Sequence, residues 1–117
     1  MDISKDYARY QKYSIRRHKI KKDIDAGLTF DEAREKLYKV LYGMTIADYD
    51  KKLAEQNGVC AICGGINVKG HKLAIDHNHA TGAIRGLLCR RCNLGLGYFK
   101  DSNKNLERAF LYLKNYK

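Results

Sequence analysis

Apolar residues in the first half of the chain recur every three or four positions, which is the spacing of one helix face. This pattern predicts a first helix over residues 5–25 and a second helix between Thr29 and Gly43. Thr29 with Glu32 fits a capping box, in which each residue satisfies a backbone N–H of the other at the helix start. The predicted apolar stripe of the second helix consists of Ala33, Leu37, Val40 and Leu41.

A third helix is predicted from Thr45, whose hydroxyl can cap it, to Asn57-Gly58, a pair that can end it. Its apolar face consists of Ile46, Tyr49 and Leu53.

The pattern changes after the third helix. Residues 59–65 form a short segment that contains two cysteines, which we call the knuckle, and residues 72–76 and 83–88 read as two strands. The loop between the strands, HNHATG, contains turn residues and a glycine. A helix is predicted from Arg90 and a last one from about Asn103, so the fold class is α+β and mainly helical. The predicted buried face of the last helix is Leu106, Ala109, Phe110 and Leu113.

The charge is strongly positive and unevenly placed. The 117 residues carry a net charge of +10, of which residues 1–50 contribute +2 and residues 51–117 contribute +8. Residues 3–22 hold eight Lys or Arg and one acid. A basic balance of this size favours a polyanionic partner, most often nucleic acid, although a basic surface without a specific partner has the same composition.

No apolar run approaches the length that spans a membrane, and the N-terminus has no apolar core of a secretory signal. We therefore expect no membrane partner and a cytoplasmic location. In a reducing compartment the four cysteines read as metal ligands before disulfides.

The cysteines form two C-x2-C pairs, CAIC and CRRC, separated by 25 residues. Two such pairs can complete the tetrahedron of one ion, and four thiolates leave no open position, which predicts a structural zinc site. Two disulfides, a redox pair or an iron–sulfur cluster are the alternatives. The predicted ligands are Cys60, Cys63, Cys89 and Cys92.

Asp76, His77 and His79 lie at the end of the first predicted strand and in its turn, where a zinc held by four cysteines does not need them. Hard divalent ions take oxygen ligands, which Asp76 and the amide of Asn93 can supply. Because Asn93 follows Cys92, the zinc would position it. The alternative is ordinary, since Asp and Asn favour turns and a loop histidine is usually solvated.

The order strand, Asp-His, turn, strand, helix, Asn resembles the HNH group of ββα-metal nucleases. Over roughly residues 42–102 the chain is more closely similar to the recombination endonuclease VII family, best known from bacteriophages. The segments that carry the resemblance are YGMTIADYDKKLAEQNGVCAICG and LAIDHNHATGAIRGLLCRRCNLGLGYFKD.

The resemblance implies a metal-dependent DNA endonuclease with a zinc-stapled ββα-metal core. Asp76 and Asn93 would hold one Mg²⁺ or Mn²⁺, and His77 would be the general base. Asn78 and His79 would brace the loop or touch the scissile phosphate. The resemblance does not extend over residues 1–40. Charge and helical spacing there lead us to expect a basic helical region over residues 1–43, for DNA binding or dimerisation, followed by a nuclease domain over residues 44–117 with one C-terminal helix.

The chemistry is consistent with these roles. An imidazole near its usual pKa of about 6.5 can take a proton from water near neutral pH, and one divalent ion can stabilise charge on the leaving oxygen. Arg85 alternates with the apolar residues of the second strand, so it is a candidate phosphate contact, and a solvated surface arginine is the equal alternative. The N-terminal stripe that includes Arg16, Arg17 and Lys19 can follow DNA phosphates.

Several functions share these residues. Resolution of branched DNA such as Holliday junctions, with this chain as a homodimer, is one function that the resemblance implies, and nicking, homing or packaging nucleases are others. An RNA-directed nuclease is a further option. The rival from another class is a zinc-stapled nucleic-acid-binding module without catalysis, which explains the cysteines and the charge but not the combination of Asp76, His77 and Asn93.

Overall fold

A computed structural model describes residues 19–67 and 71–116. The chain divides into two compact units, Met1–Lys51 and Lys52–Lys117. Residues 19–25 are helical and are followed by α1 (Phe30–Tyr42), α2 (Ile46–Glu55), β1 (Ala74–His77), β2 (Ile84–Leu88), α3 (Arg90–Tyr98) and α4 (Asn103–Asn115). The fold is therefore mainly helical with a two-stranded sheet, as the sequence predicts. The predicted division by role, at residues 43 and 44, stays a prediction.

The first predicted helix lies largely outside the described residues, and only residues 19–25 of it can be compared. The start of α1 confirms the predicted capping box, because the Thr29 hydroxyl accepts from Glu32 N at 3.2 Å and Glu32 Oε2 accepts from Thr29 N at 3.3 Å. The helix ends where predicted, at Gly43. Its φ of 62° lies in the left-handed region, which glycine adopts without strain.

The predicted apolar stripe of α1 is correct at its first turns and wrong at its last. Ala33 and Leu37 are buried, whereas Val40 is 66% exposed and Leu41 is 42% exposed. The buried face is rotated towards Arg34, which is 4% exposed.

The rotation follows from the packing of Arg34 on aromatic rings within the unit Met1–Lys51. Its guanidinium carbon lies 5.0 Å from the ring centroid of Tyr38 and 4.7 Å from that of Tyr49. The two rings are themselves 5.7 Å apart between centroids. A cation over aromatic faces is stabilised by their negative charge density, which explains how an arginine occupies a core position.

A second capping box begins α2. The Thr45 hydroxyl accepts from Asp48 N at 3.0 Å, and Asp48 Oδ2 accepts from Thr45 N at 3.0 Å. Of the predicted apolar face, Tyr49 is buried, and Ile46 and Leu53 are half-buried.

The hairpin of β1 and β2 is antiparallel, with Asp76 opposite Gly86 and His77 opposite Ile84. The register moves by one residue between these pairs, so Arg85 is the extra residue of a bulge in β2. Compared with the prediction, β1 begins two residues later and ends one residue later.

The core of the unit Lys52–Lys117 lies around the hairpin, and α3 packs on both strands. Its buried apolar residues are Cys60, Leu73, Ile75, Leu87, Leu88 and Cys89. Gln56 joins this core to the start of the knuckle through hydrogen bonds to the backbone of Val59 and Leu87.

The predicted buried face of α4 is wrong in its second half. Leu106 and Ala109 are half-buried, but Phe110 is 63% exposed and Leu113 is 69% exposed. Among the described helices and strands, none packs closely along this helix, so its amphipathic pattern is not matched by burial. Within the described part of the chain, no helix has the length and apolar character that crossing a membrane requires.

Candidate metal centre and catalytic site

The four cysteine sulfurs converge on one point. Their Sγ atoms all lie within 4.8 Å of one another, and those of Cys63 and Cys89 are 3.7 Å apart. A tetrahedral ion with zinc–sulfur bonds of about 2.3 Å needs sulfurs about 3.8 Å apart. A disulfide needs about 2.05 Å, and all four cysteines are free thiols. The cluster therefore fits one structural metal ion.

The knuckle holds its two cysteines with backbone hydrogen bonds. Cys60 N donates to Gly65 O at 2.8 Å, and Gly64 N donates back to Cys60 O at 3.0 Å. Gly65 N also donates to Cys63 Sγ at 3.3 Å. These hydrogen bonds form a tight turn that brings the two sulfurs close together.

The other pair is held by the start of α3. Cys89 is the N-cap of this helix, and its Sγ accepts from Cys92 N at 3.4 Å. Ala61 N donates to Leu87 O at 3.1 Å and ties the knuckle to β2. The cluster thus joins the knuckle, the end of β2 and the first turn of α3.

The pKa values of two of the four thiols are shifted in opposite directions. Burial raises the pKa of Cys60, but N–H groups of the Cys63, Cys89 and Ile62 backbone outweigh it and lower the pKa to about 6. Burial, together with hydrogen bonds to the neighbouring cysteine sulfurs, raises the pKa of Cys92 to about 12. Donor groups that favour a thiolate at Cys60 suit a cation-binding cluster, since metals bind the thiolate form.

Asp76 lies near the end of β1, 7% exposed, and carries a two-pronged ion pair. Arg85 Nε donates to Asp76 Oδ2 at 2.7 Å, and Arg85 Nη2 donates to Asp76 Oδ1 at 2.9 Å. This hydrogen bond to Asp76 is the main cause of a raised pKa for Arg85. The bulge in β2 explains the contact, because bulges redirect side chains. That Arg85 contacts a phosphate stays a prediction.

His77 ends β1 and is half-buried. Its ring centroid lies 4.7 Å from that of His79, which is exposed in the turn. His79 Nε2 lies 3.9 Å from Asp101 Oδ2. Asn78, between the histidines, accepts N–H groups from Ala80 at 2.8 Å and Thr81 at 3.2 Å through its Oδ1, so it shapes the turn.

Asn93 is half-buried on α3, directly after Cys92, and its N–H donates to Cys89 O at 3.0 Å. Because α3 packs on both strands, the helix that carries Asn93 lies against the hairpin that carries Asp76 and His77. Lys19 is exposed, and Arg16 and Arg17 lie outside the described residues.

Two residues of this region were not predicted. Asp101 lies 3.5 Å from Arg85 Nη2, and Gln56 binds the backbone of β2. One signal pointed to Asp101, since it is one of only four acids in residues 51–117. Nothing in the sequence around Gln56 indicates its role.

Parts of the chain are similar to known proteins. The family described as recombination endonuclease VII matches residues 35–115. The Gene 59 protein of Mycobacterium phage D29 is 43% identical over 74 residues, which are 62% of this chain and 45% of that protein. The Gene 59 protein of Mycobacterium phage L5 is 43% identical over 75 residues, 63% of this chain and 46% of that protein. The chain thus spans less than half the length of these relatives.

The chain is also similar to the crystal structure of the ββα-Me type II restriction endonuclease Hpy99I, with 37% sequence identity and a TM-score of 0.45. The match covers 70% of this chain and 48% of the endonuclease chain. The family match covers more than half of the chain and includes the cysteine cluster, the hairpin and α3. The chain belongs to the recombination endonuclease VII family.

Proposed function

We propose that this protein is a metal-dependent DNA endonuclease that hydrolyses phosphodiester bonds by a single-metal HNH mechanism. One observation carries the proposal: the Asp76-His77 pair at the end of β1 shares a packed ββα unit with Asn93 on α3. Membership of a family described as recombination endonuclease VII supports it. The net charge of +8 over residues 51–117 supports a nucleic-acid substrate.

In this proposal Asp76 and Asn93 hold one Mg²⁺ or Mn²⁺ through their side-chain oxygens. Both donors are oxygen atoms, which these hard ions prefer, and Asp76 is paired in the sheet opposite Gly86. When bound, the ion stabilises charge that develops on the phosphate and the leaving oxygen.

His77 is the proposed general base. One nitrogen of its imidazole accepts a proton from the attacking water, and its position at the end of β1 keeps the ring half-buried beside His79. Asn78 contributes by shaping the turn through its two accepted N–H groups. The residues proposed to support the loop or contact DNA phosphates are His79, Arg85, Arg16, Arg17 and Lys19.

The ion proposed for the cysteine cluster is zinc. Four thiolates around one ion leave no position for substrate, so the zinc is structural. Its proposed effect on catalysis is indirect, because Cys92 precedes Asn93 on the same helical turn of α3. The zinc thereby holds the helix that carries a ligand of the second ion.

The test is plasmid cleavage in Mg²⁺ by zinc-loaded wild type and His77→Ala. We expect the wild type to cut and the variant to lose at least about 100-fold in rate, the lower range for loss of a general base. His71→Ala is the matched control, since His71 is exposed and outside the proposed site. Supercoiled, branched and single-stranded DNA identify the preferred substrate and test Holliday-junction resolution. A single-stranded RNA of the same sequence as the single-stranded DNA tests the RNA-directed alternative.

The nuclease proposal is overturned if neither wild type nor either variant cuts any substrate in Mg²⁺ or Mn²⁺ while wild type and His77→Ala bind DNA equally. The protein is then a zinc-stapled nucleic-acid-binding module.

A further inference from the structure

Arg85 lies between two carboxylates. It donates two hydrogen bonds to Asp76, at 2.7 and 2.9 Å, and its Nη2 lies 3.5 Å from Asp101 Oδ2. One guanidinium nitrogen, Nη2, is therefore shared between the two acids. Its fork geometry matches both oxygens of Asp76, which makes this the stronger of the two contacts.

The two partners of the stronger ion pair differ in freedom. The side chain of Asp76 is 9% exposed and belongs to the paired part of β1, whereas that of Arg85 is 37% exposed and belongs to the bulge in β2. Movement of Arg85 costs less packing than movement of Asp76. A divalent cation bound to Asp76 would repel the guanidinium and would draw on the same carboxylate, so the cation and Arg85 compete.

Asp101 is placed to accept the Arg85 guanidinium when a cation displaces it from Asp76. It follows α3 with a left-handed φ of 54°, and its N–H donates to Leu96 O at 2.8 Å, which fixes its backbone to the helix. Its side chain is 26% exposed, so it can strengthen a contact without being uncovered first. Because Arg85 Nη2 already lies 3.5 Å from Asp101 Oδ2, the second acid is within reach of the guanidinium that leaves Asp76.

We propose that Arg85 competes with the divalent cation for Asp76, and that Asp101 receives the guanidinium as the cation binds. This inference rests on the proposed function, because it assumes that Asp76 is a cation ligand. Arg85 and Asp101 are then positioning residues that set cation affinity. Linkage requires that the cation weakens the Arg85–Asp76 pair by the same factor by which the pair weakens cation binding.

The test is direct measurement of Mn²⁺ affinity by calorimetry on zinc-loaded protein, without DNA. Arg85→Gln removes the competitor, and we expect it to bind Mn²⁺ about tenfold more tightly, within the usual range of such couplings. Asp101→Asn removes the acceptor, and we expect weaker binding by about fivefold. Arg108→Gln and Glu107→Gln are matched controls, since both residues are exposed on α4, and neither should change the affinity.

A second measurement uses the wild-type chain, in case a variant fails to fold. The Nε–H signal of Arg85 is followed by NMR during titration with diamagnetic Mg²⁺. We expect it to shift as the ion binds and to stay unshifted in Asp76→Asn.

The outcomes distinguish a failure of the competition at Asp76 from a failure of the nuclease proposal. Equal Mn²⁺ affinity in wild type and Arg85→Gln, or an Arg85 signal that does not respond to Mg²⁺ while the ion binds, overturns the competition and leaves the nuclease proposal standing. If no protein binds Mn²⁺ and none cuts DNA, the proposed function itself fails and the competition fails with it.

Discussion

Gln56 and Leu87 are joined by two hydrogen bonds that run in opposite directions. Gln56 Nε2 donates to Leu87 O at 2.9 Å, and Leu87 N donates to Gln56 Oε1 at 2.9 Å. The side chain thus completes the backbone pairing of β2 as a neighbouring strand would. Because Leu87 is fully buried, no water replaces these bonds easily if the side chain is lost.

We therefore expect Gln56→Ala to lower the free energy of unfolding by about 2–3 kcal/mol, since a buried donor and acceptor lose their partner. Gly86→Ala should also destabilise, because a Cβ there would lie 3.3 Å from Gln56 Oε1, and that oxygen cannot move away without weakening its hydrogen bond from Leu87 N. Urea unfolding of the zinc-loaded protein measures both. Glu55→Ala, at a neighbouring exposed residue, is the control. A Gln56→Ala variant as stable as the wild type would mean that these bonds contribute nothing net.

Removal of the cluster metal should destabilise the unit Lys52–Lys117. The four sulfurs join the knuckle, the end of β2 and α3, so the ion closes contacts between segments distant in sequence. We expect chelation, or Cys63→Ser, to lower Tm by at least about 10 °C, because metal binding energy contributes directly to folding. Zinc content and circular dichroism are measured on the same samples, with His71→Ala as the control. An unchanged Tm in zinc-free protein would show that the cluster is not a structural metal site.

The unit Met1–Lys51 should lose stability at alkaline pH through Tyr49. Burial, and then the nearby Tyr38, raises the pKa of Tyr49 from 10.0 to about 12. A group whose pKa is raised by folding contributes stability that is present below its usual pKa and is lost as pH rises towards the folded value. The loss therefore falls between about pH 10 and pH 12.

Urea unfolding near pH 8 and near pH 11 measures this effect. The loss of stability between these conditions should be smaller in Tyr49→Phe than in wild type, because the variant has no hydroxyl to ionise. Tyr116→Phe is the matched control, since that side chain is 77% exposed, and it should lose as much as wild type. Equal losses in all three proteins would contradict the assignment to Tyr49.

The helix ends were predictable because their signals are local. Thr29 and Glu32 are three residues apart, and Gly43 needs only its own backbone conformation to end α1. The buried faces were less predictable, because burial depends on what packs against a helix. Apolar Phe110 on α4 is exposed, and Arg34 is buried because two tyrosine rings, one from another helix, surround it.

The candidate site shows the same limit. The spacing within each C-x2-C pair is local information, and the need of one tetrahedral ion for four ligands predicted that the two pairs meet. The contact between Arg85 and Asp76 depends on a one-residue register change in the hairpin, which simple alternation along β2 does not indicate. Asp101 joins this network only because the chain turns back after α3 with two successive left-handed residues, Lys100 and Asp101.

The last prediction concerns the proposed role of Asn93 and separates its oxygen from its place in the helix. Asn93→Ala should lose at least about 100-fold in cleavage rate and bind Mn²⁺ about 10- to 100-fold more weakly, because a ligand of the proposed second ion is gone. Asn93→Asp keeps an oxygen at the same position and should retain measurable Mn²⁺ binding. Zinc content should be unchanged in both, since the cysteines are intact.

Asn105→Ala is the matched control, because Asn105 is exposed on α4, and its cleavage rate should equal that of wild type. If Asn93→Ala binds Mn²⁺ and cuts as wild type does, Asn93 is not a ligand. If Asn93→Ala instead loses zinc, its effect comes from the fold of α3. Wild-type zinc content together with lost Mn²⁺ affinity is the combination that supports the ligand role, because the neighbouring Cys92 then still holds the helix in place.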